Sequence, residues 1–483
     1  MNANYFLAAF GLYIVLLIGI GWFFSRRAQD SDDFLLAGRG LPVFLTIGTT
    51  VATMVGTGSS MGAVGFGYAN GWAGALYGFG GAVGILLLGL LFAPVRAQRF
   101  ATMSEELASY VGDHLLVKKT VAVLILLACV GWLGAHILGG SLYLSWVSGI
   151  DLQLAKLLVA LGFGIFVVIG GYHAVVWTDT LQAIVLFVGF LLMAGFAVDQ
   201  VGGWNTMVGA WSYSGAYSEA SGETSALATS RESGRLLPGI SLAAVIAVGV
   251  LATPSFRQRI YSGRSVQSVR RSFYVSGGVY LLFSLVPAII GICAFLLNPA
   301  LENRNYAFPY LALEVLPLGV GVLVLLAGLS ATMSSASSDA IAGVSVLVRD
   351  LRAQSVAETV TQSRIGLLLV IGVALALALL SDDLIGYISK MISTVMSGLF
   401  VCGLLGRFWS RFTWQGAMAA IIAGSFASLG VMGWFNVFWG NPVLPAVLTA
   451  LLAGGLVSVM TAPTGTGAEA STRAEREIKL DAR

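Results

Sequence analysis

The stretch GTTVATMVGTGSSMGAVGFG, residues 48–67, is apolar enough to lie in a bilayer, yet Gly56, Gly58 and Gly62 fall near its middle. Glycine is a poor helix former, so the backbone ladder is expected to break there. Carbonyls freed inside hydrocarbon must find a partner, and a cation is one such partner. A second apolar stretch, GVLATP at 249–254, carries Gly249 and Pro254. Proline lacks an N–H and clashes with the turn before it. Two membrane helices are therefore predicted to be interrupted, far apart in the chain.

The rest of the sequence fits this setting. Of 483 residues 57% are hydrophobic and 10% charged, where a soluble domain carries about 25% charged residues. The 61 glycines suit close helix packing in lipid. The net charge of +3 points to no nucleic-acid partner. Cys129, Cys293 and Cys402 lie scattered in apolar segments, without metal-ligand spacing, and read as small core residues. The first apolar stretch reads as a true span and not a cleaved signal.

A span needs about 20 apolar residues. On that rule thirteen segments are predicted, near 4–24, 42–67, 71–95, 118–147, 151–171, 175–199, 236–256, 271–297, 317–347, 364–381, 384–407, 412–434 and 442–461. The fold class is all-α, a single transmembrane domain over 1–461 with a polar tail at 462–483. Alternate loops are rich in basic residues, among them Arg26, Arg27, Lys118, Lys119, Arg257, Arg259, Arg349 and Arg352. The positive-inside rule makes these cytoplasmic. That places the N-terminus outside and the tail inside a cell (plasma) membrane.

Segments two to six and seven to eleven form two groups of five. An odd count makes the second group enter from the opposite face, as an inverted repeat over about 42–199 and 236–407. The interrupted helix leads each group. Matching interrupted helices mark the binding site of a carrier. Two carboxylates, Asp179 and Asp339, also lie in apolar surroundings beside hydroxyl-rich stretches. A charge in hydrocarbon costs roughly 3 kcal/mol or more, so each is a candidate for a cation or proton path. No phosphate loop, nucleophile elbow or metal-ligand cluster is present, and no enzyme is expected.

Four stretches, FLLAGRGLP at 34–42, GGYHAVVWTDTLQ at 170–182, PSFRQR at 254–259 and ATMSSASS at 331–338, resemble the sodium:solute symporter family. The resemblance runs from the first to the twelfth segment. It implies the leucine-transporter type of fold, broken at the first helix of each repeat, and sodium-driven uptake of a small solute with no other cofactor. It implies a sodium site of the carbonyls of Ala52, Val55 and Ala331 and the hydroxyls of Ser334 and Ser335. Spacing agrees, since 331, 334 and 335 share one helical face. The bland alternative makes the serines packing residues bonded to carbonyls one turn back.

The resemblance also gives Asp179 a role at a second cation site or in coupling; the alternative is an interfacial helix cap. Asp339 stands one turn beyond Ser335. It either widens the oxygen cluster into a second cation or proton site or marks the inner end of its helix. Candidates for solute contact are Thr57, Ser59 and Thr253 at the breaks, Trp132 and His136 on the fourth segment, and Ser389 and Lys390 on the eleventh. Lys390 alternatively snorkels to the outer interface, and His136 alternatively packs. Arg257 and Arg259 are expected to fix topology and line an inner gate. Both breaks are poor in aromatics, against a quaternary-ammonium solute, and poor in amides and acids, against a sugar. A small carboxylate or amino acid remains by elimination. A membrane sensor of the same fold and a passive channel are the competing classes. The tail after Ala462 is too short for a kinase.

Overall fold

Helices run along the expected segments in the computed structural model, which describes residues 3–25, 30–58, 62–209, 236–352, 358–380, 384–434 and 442–461. The helices that build the centre are α1 (Ala3–Ser25), α2 (Val43–Met54), α3 (Ala63–Asn70), α4 (Leu115–Ser148), α5 (Leu152–Gln200), α6 (Leu236–Ala252), α7 (Pro254–Ser262), α8 (Leu318–Val346) and α9 (Leu384–Phe408). Among the described residues, nine helices are long and apolar enough to cross a bilayer, or ten when the bent pair α6–α7 counts as one span.

α5 has 49 residues. Straight, it would run about 70 Å, more than twice the hydrocarbon thickness. Gly171 resolves the excess. Its φ of 61° and ψ of −156° lie outside helical space, and a Cβ there would come 2.6 Å from the Phe34 carbonyl oxygen. The loop expected between segments five and six thus shrinks to one glycine. His173 sits in helix just beyond it and stacks on Phe24 at 6.5 Å.

Both expected breaks are present. α2 ends at Met54, and Val55 leaves helical space with ψ 61°. α3 resumes at Ala63. α6 and α7 meet at 48° across Thr253, whose ψ is 123°. Pro254 then opens α7 at its first position, where its missing N–H costs nothing. The two broken helices touch near the basic face through an isolated parallel bridge. The Leu41 N–H donates to the Ser262 carbonyl at 3.1 Å, and the Arg264 N–H to the Leu41 carbonyl at 3.3 Å. α8 runs buried through the centre, with every residue from Ala327 to Val346 buried. It packs on α2, α4 and α5.

Candidate functional site

The regular ladder of α2 stops at Val55, and just before it the carbonyls of Ala52 and Thr53 face α8. The hydroxyls of α8 take them up. Ser334 Oγ donates to the Ala52 carbonyl at 3.0 Å, and Ser335 Oγ to the Thr53 carbonyl at 3.0 Å. Each hydroxyl also lies within reach of the Ala331 carbonyl, at 3.2 and 3.3 Å. Ala52, Val55, Ala331 and Ser334 are fully buried and Ser335 nearly so. Of the residues named from sequence as sodium ligands, Ala52, Ala331, Ser334 and Ser335 thus come together. The back-bonding expected of packing serines is present too, but as the weaker half of each forked bond. Thr53, which sequence reasoning passed over, supplies the second α2 carbonyl that is bonded here, while Val55 forms the turn itself. Gly56 follows at closest approach: a Cβ on it would stand 2.4 Å from Ser335 Oγ.

Asp179 lies well inside α5 and is fully buried, so it is no interfacial cap. Its Oδ2 accepts from Thr49 Oγ1 at 2.6 Å and Ser338 Oγ at 3.2 Å, and its Oδ1 from Ser337 Oγ at 3.5 Å. The guanidinium of Arg259 stands 3.5 Å from Oδ2. Arg259 is itself fully buried and donates to Ser338 Oγ at 2.8 Å, Thr49 Oγ1 at 2.7 Å, the Thr49 carbonyl at 3.1 Å and Thr53 Oγ1. One guanidinium therefore joins α7 to α2, α5 and α8. The arginine was legible only as a topology and gate residue, because nothing in PSFRQR says that it reaches a buried carboxylate.

Arg257 shows the same pattern. It pairs with the buried Glu106 at 2.8 Å and lies over the Phe92 ring at 3.5 Å. Tyr110 and Tyr261 donate to the same carboxylate. Glu106 escaped notice in the sequence as one acid in a polar loop.

Asp339 is nearly buried and lies within α8, not at its end. His136 Nε2 is 3.4 Å from its Oδ2. His136 Nδ1 is 2.9 Å from Thr57 Oγ1, at the α2 break. Trp132 stacks on His136 with ring centres 5.9 Å apart. Thr253 bonds back to the Gly249 carbonyl at 2.7 Å. Ser59 lies outside the described residues. Ser389 and Lys390 belong to α9, but their side chains lie outside the description.

Carbonyl and hydroxyl oxygens gathered at a helix break suit a small hard cation. The family model described as "Sodium:solute symporter family" matches residues 34–424. The chain belongs to the sodium:solute symporter family. Similar curated members include the sodium/glucose cotransporter of Vibrio parahaemolyticus, 26% identical over 86% of this chain and 82% of its own length. Sodium/glucose cotransporter 1 of Oryctolagus cuniculus is 24% identical over 85% of this chain and 69% of its own. Among solved structures, a substrate-bound, outward-open sodium-coupled sialic acid symporter matches with a TM-score of 0.82. It is 20% identical and covers 96% of this chain and 98% of its own. MhsT in complex with L-phenylalanine matches at 0.57, with 16% identity over 86% and 97% of the two chains. This symporter family has sodium as its coupling ion, and the chain is a multi-pass membrane transporter, not an enzyme.

Proposed function

We propose that the chain is a sodium-driven symporter that imports a small organic solute by alternating access. The observation that carries this reading is the pair of hydroxyl bridges from Ser334 and Ser335 to the Ala52 and Thr53 carbonyls. Sodium enters between α2 and α8 and is held by the carbonyls of Ala52, Val55 and Ala331 and the hydroxyls of Ser334 and Ser335. Each serine then turns its lone pair to the ion and gives up its carbonyl bond. The ion replaces two weak bridges by one strong one, so it favours the state in which the helices are close. It shifts the equilibrium only through that difference in affinity. Asp179 with Arg259 links the ion site to α7, and this pair is the candidate for coupling. The repeats over about 42–199 and 236–407 move against each other around the breaks. The basic face is cytoplasmic, with the N-terminus outside.

The solute lies beside the breaks, near Thr57, Trp132 and His136. The Trp132 indole N–H is buried and has no partner among the described residues, which leaves a donor for a solute acceptor. Thr253, Ser59, Ser389 and Lys390 complete the set proposed for solute contact. Glucose and sialic acid, named for relatives, are the first solutes to try. The aromatic-poor and amide-poor breaks favour a small carboxylate or amino acid instead.

The test is a solute screen in proteoliposomes with and without a sodium gradient. Ser334→Ala and Ser335→Ala should each weaken apparent sodium affinity about tenfold, since a ligand bond to a charge is worth about 1.5–3 kcal/mol. Wild-type sodium dependence in both folded variants would remove the assignment.

A further inference from the structure

Five arginines meet where the helix Val266–Phe283 packs against the helical turns Leu88–Phe92 and Ala93–Gln98. Arg96 and Arg99 stand at the end of the turns, Arg264 just ahead of the helix, and Arg270 and Arg271 in its second turn. Bonds to backbone hold the two sides together. Arg96 donates to the Gly263 carbonyl and, at 3.2 Å, to the Arg39 carbonyl. Arg39 in turn donates to the carbonyls of Arg99 and Phe100 at 2.7 and 2.9 Å. Further along, the two sides touch at Gly89, where a Cβ would stand 2.9 Å from Phe273 Cβ. Arg270 lies one turn before Phe273, on the same side of its helix. Its Nε is buried and has no partner among the described residues.

The charge at this seam is not balanced. Asp32 pairs with Arg39 and Arg349, Asp350 with Lys118, and Glu105 accepts from the Ala101 N–H. Among the described residues, none of the five arginines has a carboxylate partner. Segments 26–29 and 353–357 carry no acid, and the tail after Thr461 has as many acids as bases. Cations held together draw an anion, and guanidinium forks match phosphate oxygens. What lies beside the arginines decides whether that phosphate is free or carried by a lipid. Arg271, Tyr274, Val275, Gly278 and Leu282 share one face of the helix, and all are exposed. Leu282 is 77% exposed, and nothing lies within 4 Å of a Cβ placed on Gly278. The helix begins an apolar stretch long enough to cross a bilayer. A cluster of cations at the mouth of an exposed apolar stripe fits a charged headgroup with its chains.

We propose that this seam binds one anionic phospholipid from the leaflet on the basic face. Its phosphate is taken by Arg99, Arg264 and Arg271, and one chain lies along Tyr274, Val275 and Leu282. The headgroup bridges the turns that end at Arg99 to the helix that follows α7, beside the contact of Leu41 with Gly263. Its binding braces that contact and stabilises the fold in which the contact is made. The lipid site is independent of where sodium and solute bind.

The test titrates the full chain, purified in neutral detergent, with phosphatidylglycerol and with phosphatidylcholine of equal chain length. Native mass spectrometry reads the bound lipid. Each arginine near an anionic headgroup is worth about fivefold in affinity. Wild type should therefore retain one phosphatidylglycerol, roughly tenfold or more tighter than phosphatidylcholine. Arg264→Gln with Arg271→Gln should weaken it roughly twentyfold. Lysine at both positions should restore part of that loss, since it keeps the charge without the fork. Arg407→Gln with Arg411→Gln, an equal loss of charge elsewhere on the basic face, should leave binding unchanged. Phosphatidylglycerol should also raise the thermal midpoint of wild type and not that of the glutamine pair. Arg264 and Arg271 are exposed, and an unchanged midpoint without lipid shows that the variant folds. Should the pair not fold, Arg99→Gln alone carries the comparison, with a loss of about fivefold. Equal binding of the two lipids, or an equal loss in the Arg407 and Arg411 control, overturns the inference. Displacement by inorganic phosphate, or by glycerophosphoglycerol, which is the headgroup without chains, assigns the site to a free anion and overturns the lipid.

Discussion

The Asp179 carboxylate and the Arg259 guanidinium lie 3.5 Å apart, and neither side chain exposes any surface. They come from α5 and α7, which the chain separates by about 80 residues. Each also bonds Thr49 and Ser338, so the pair is the hub of a polar cluster shared by four helices. Removing one partner of such a pair strands the other charge.

Arg259→Met should therefore destabilise the protein by about 3–5 kcal/mol. Asp179→Asn, which keeps shape and hydrogen bonding, should cost less. The double variant should recover much of the Arg259→Met loss. Thermal unfolding in detergent reads all three. If the double variant is as damaged as the sum of the singles, the two charges are not coupled. In proteoliposomes, Asp179→Asn should impair sodium-driven accumulation more than equilibrium solute binding. Equal accumulation would reduce the pair to a structural tie.

Gly56→Ala tests the close approach of α2 to α8. The added methyl would meet Ser335 Oγ at 2.4 Å and Ser335 Cβ at 3.3 Å. The hydroxyl must then rotate, giving up the Thr53 carbonyl and its place at the ion. Apparent sodium affinity should fall about tenfold, the cost of one charge-assisted bond. Gly56→Ala with Ser335→Ala should be no worse than Ser335→Ala alone, since both remove the same ligand. Additive losses would show that Gly56 acts elsewhere.

Asp32 gives a pH dependence outside the spans. Burial alone would raise its pKa, but hydrogen bonds and charge from Arg39 and Arg349, at 2.8 and 2.5 Å, hold it below the usual carboxylate range. A depressed value in the folded state stabilises the protein above the unfolded value, near 4. That stabilisation is lost as pH falls through the lower, folded value. Asp32→Asn should lower the thermal midpoint slightly at pH 7, and the gap should close under acid. The side chain is 41% exposed, so the effect should stay below about 1 kcal/mol. A gap that persists at acid pH would assign the effect to shape.

The helices were legible because apolar length is a coarse signal that side-chain detail does not disturb. The breaks were legible because Gly56 and Pro254 act on their own backbone. The serine pair could be placed on one face by spacing alone, and the family resemblance named its partners. What lay hidden were the contacts between residues distant in sequence that the resemblance did not name. Asp339 met His136 across about 200 residues, and Glu106 met Arg257 across about 150. Arg257 and Arg259 misled for a physical reason. Arginines after a membrane helix usually stay in water, and these two are drawn inward by buried carboxylates that sit on other elements. The loop expected at 172–174 failed for the opposite reason, since one residue with positive φ, Gly171, does the work of several.

The bridge between Leu41 and Gly263 has a mechanical consequence. It joins the entry to α2 with the exit from α7, so the ends of both interrupted helices on that side are pinned to a common hinge plate. Arg96 fastens the same point by donating to the Gly263 and Arg39 carbonyls. A stroke that swings one interrupted helix must carry the other with it. Load placed on α2 by an ion would then be delivered to α7 without passing through the solute, as in a lever with two arms on one axle.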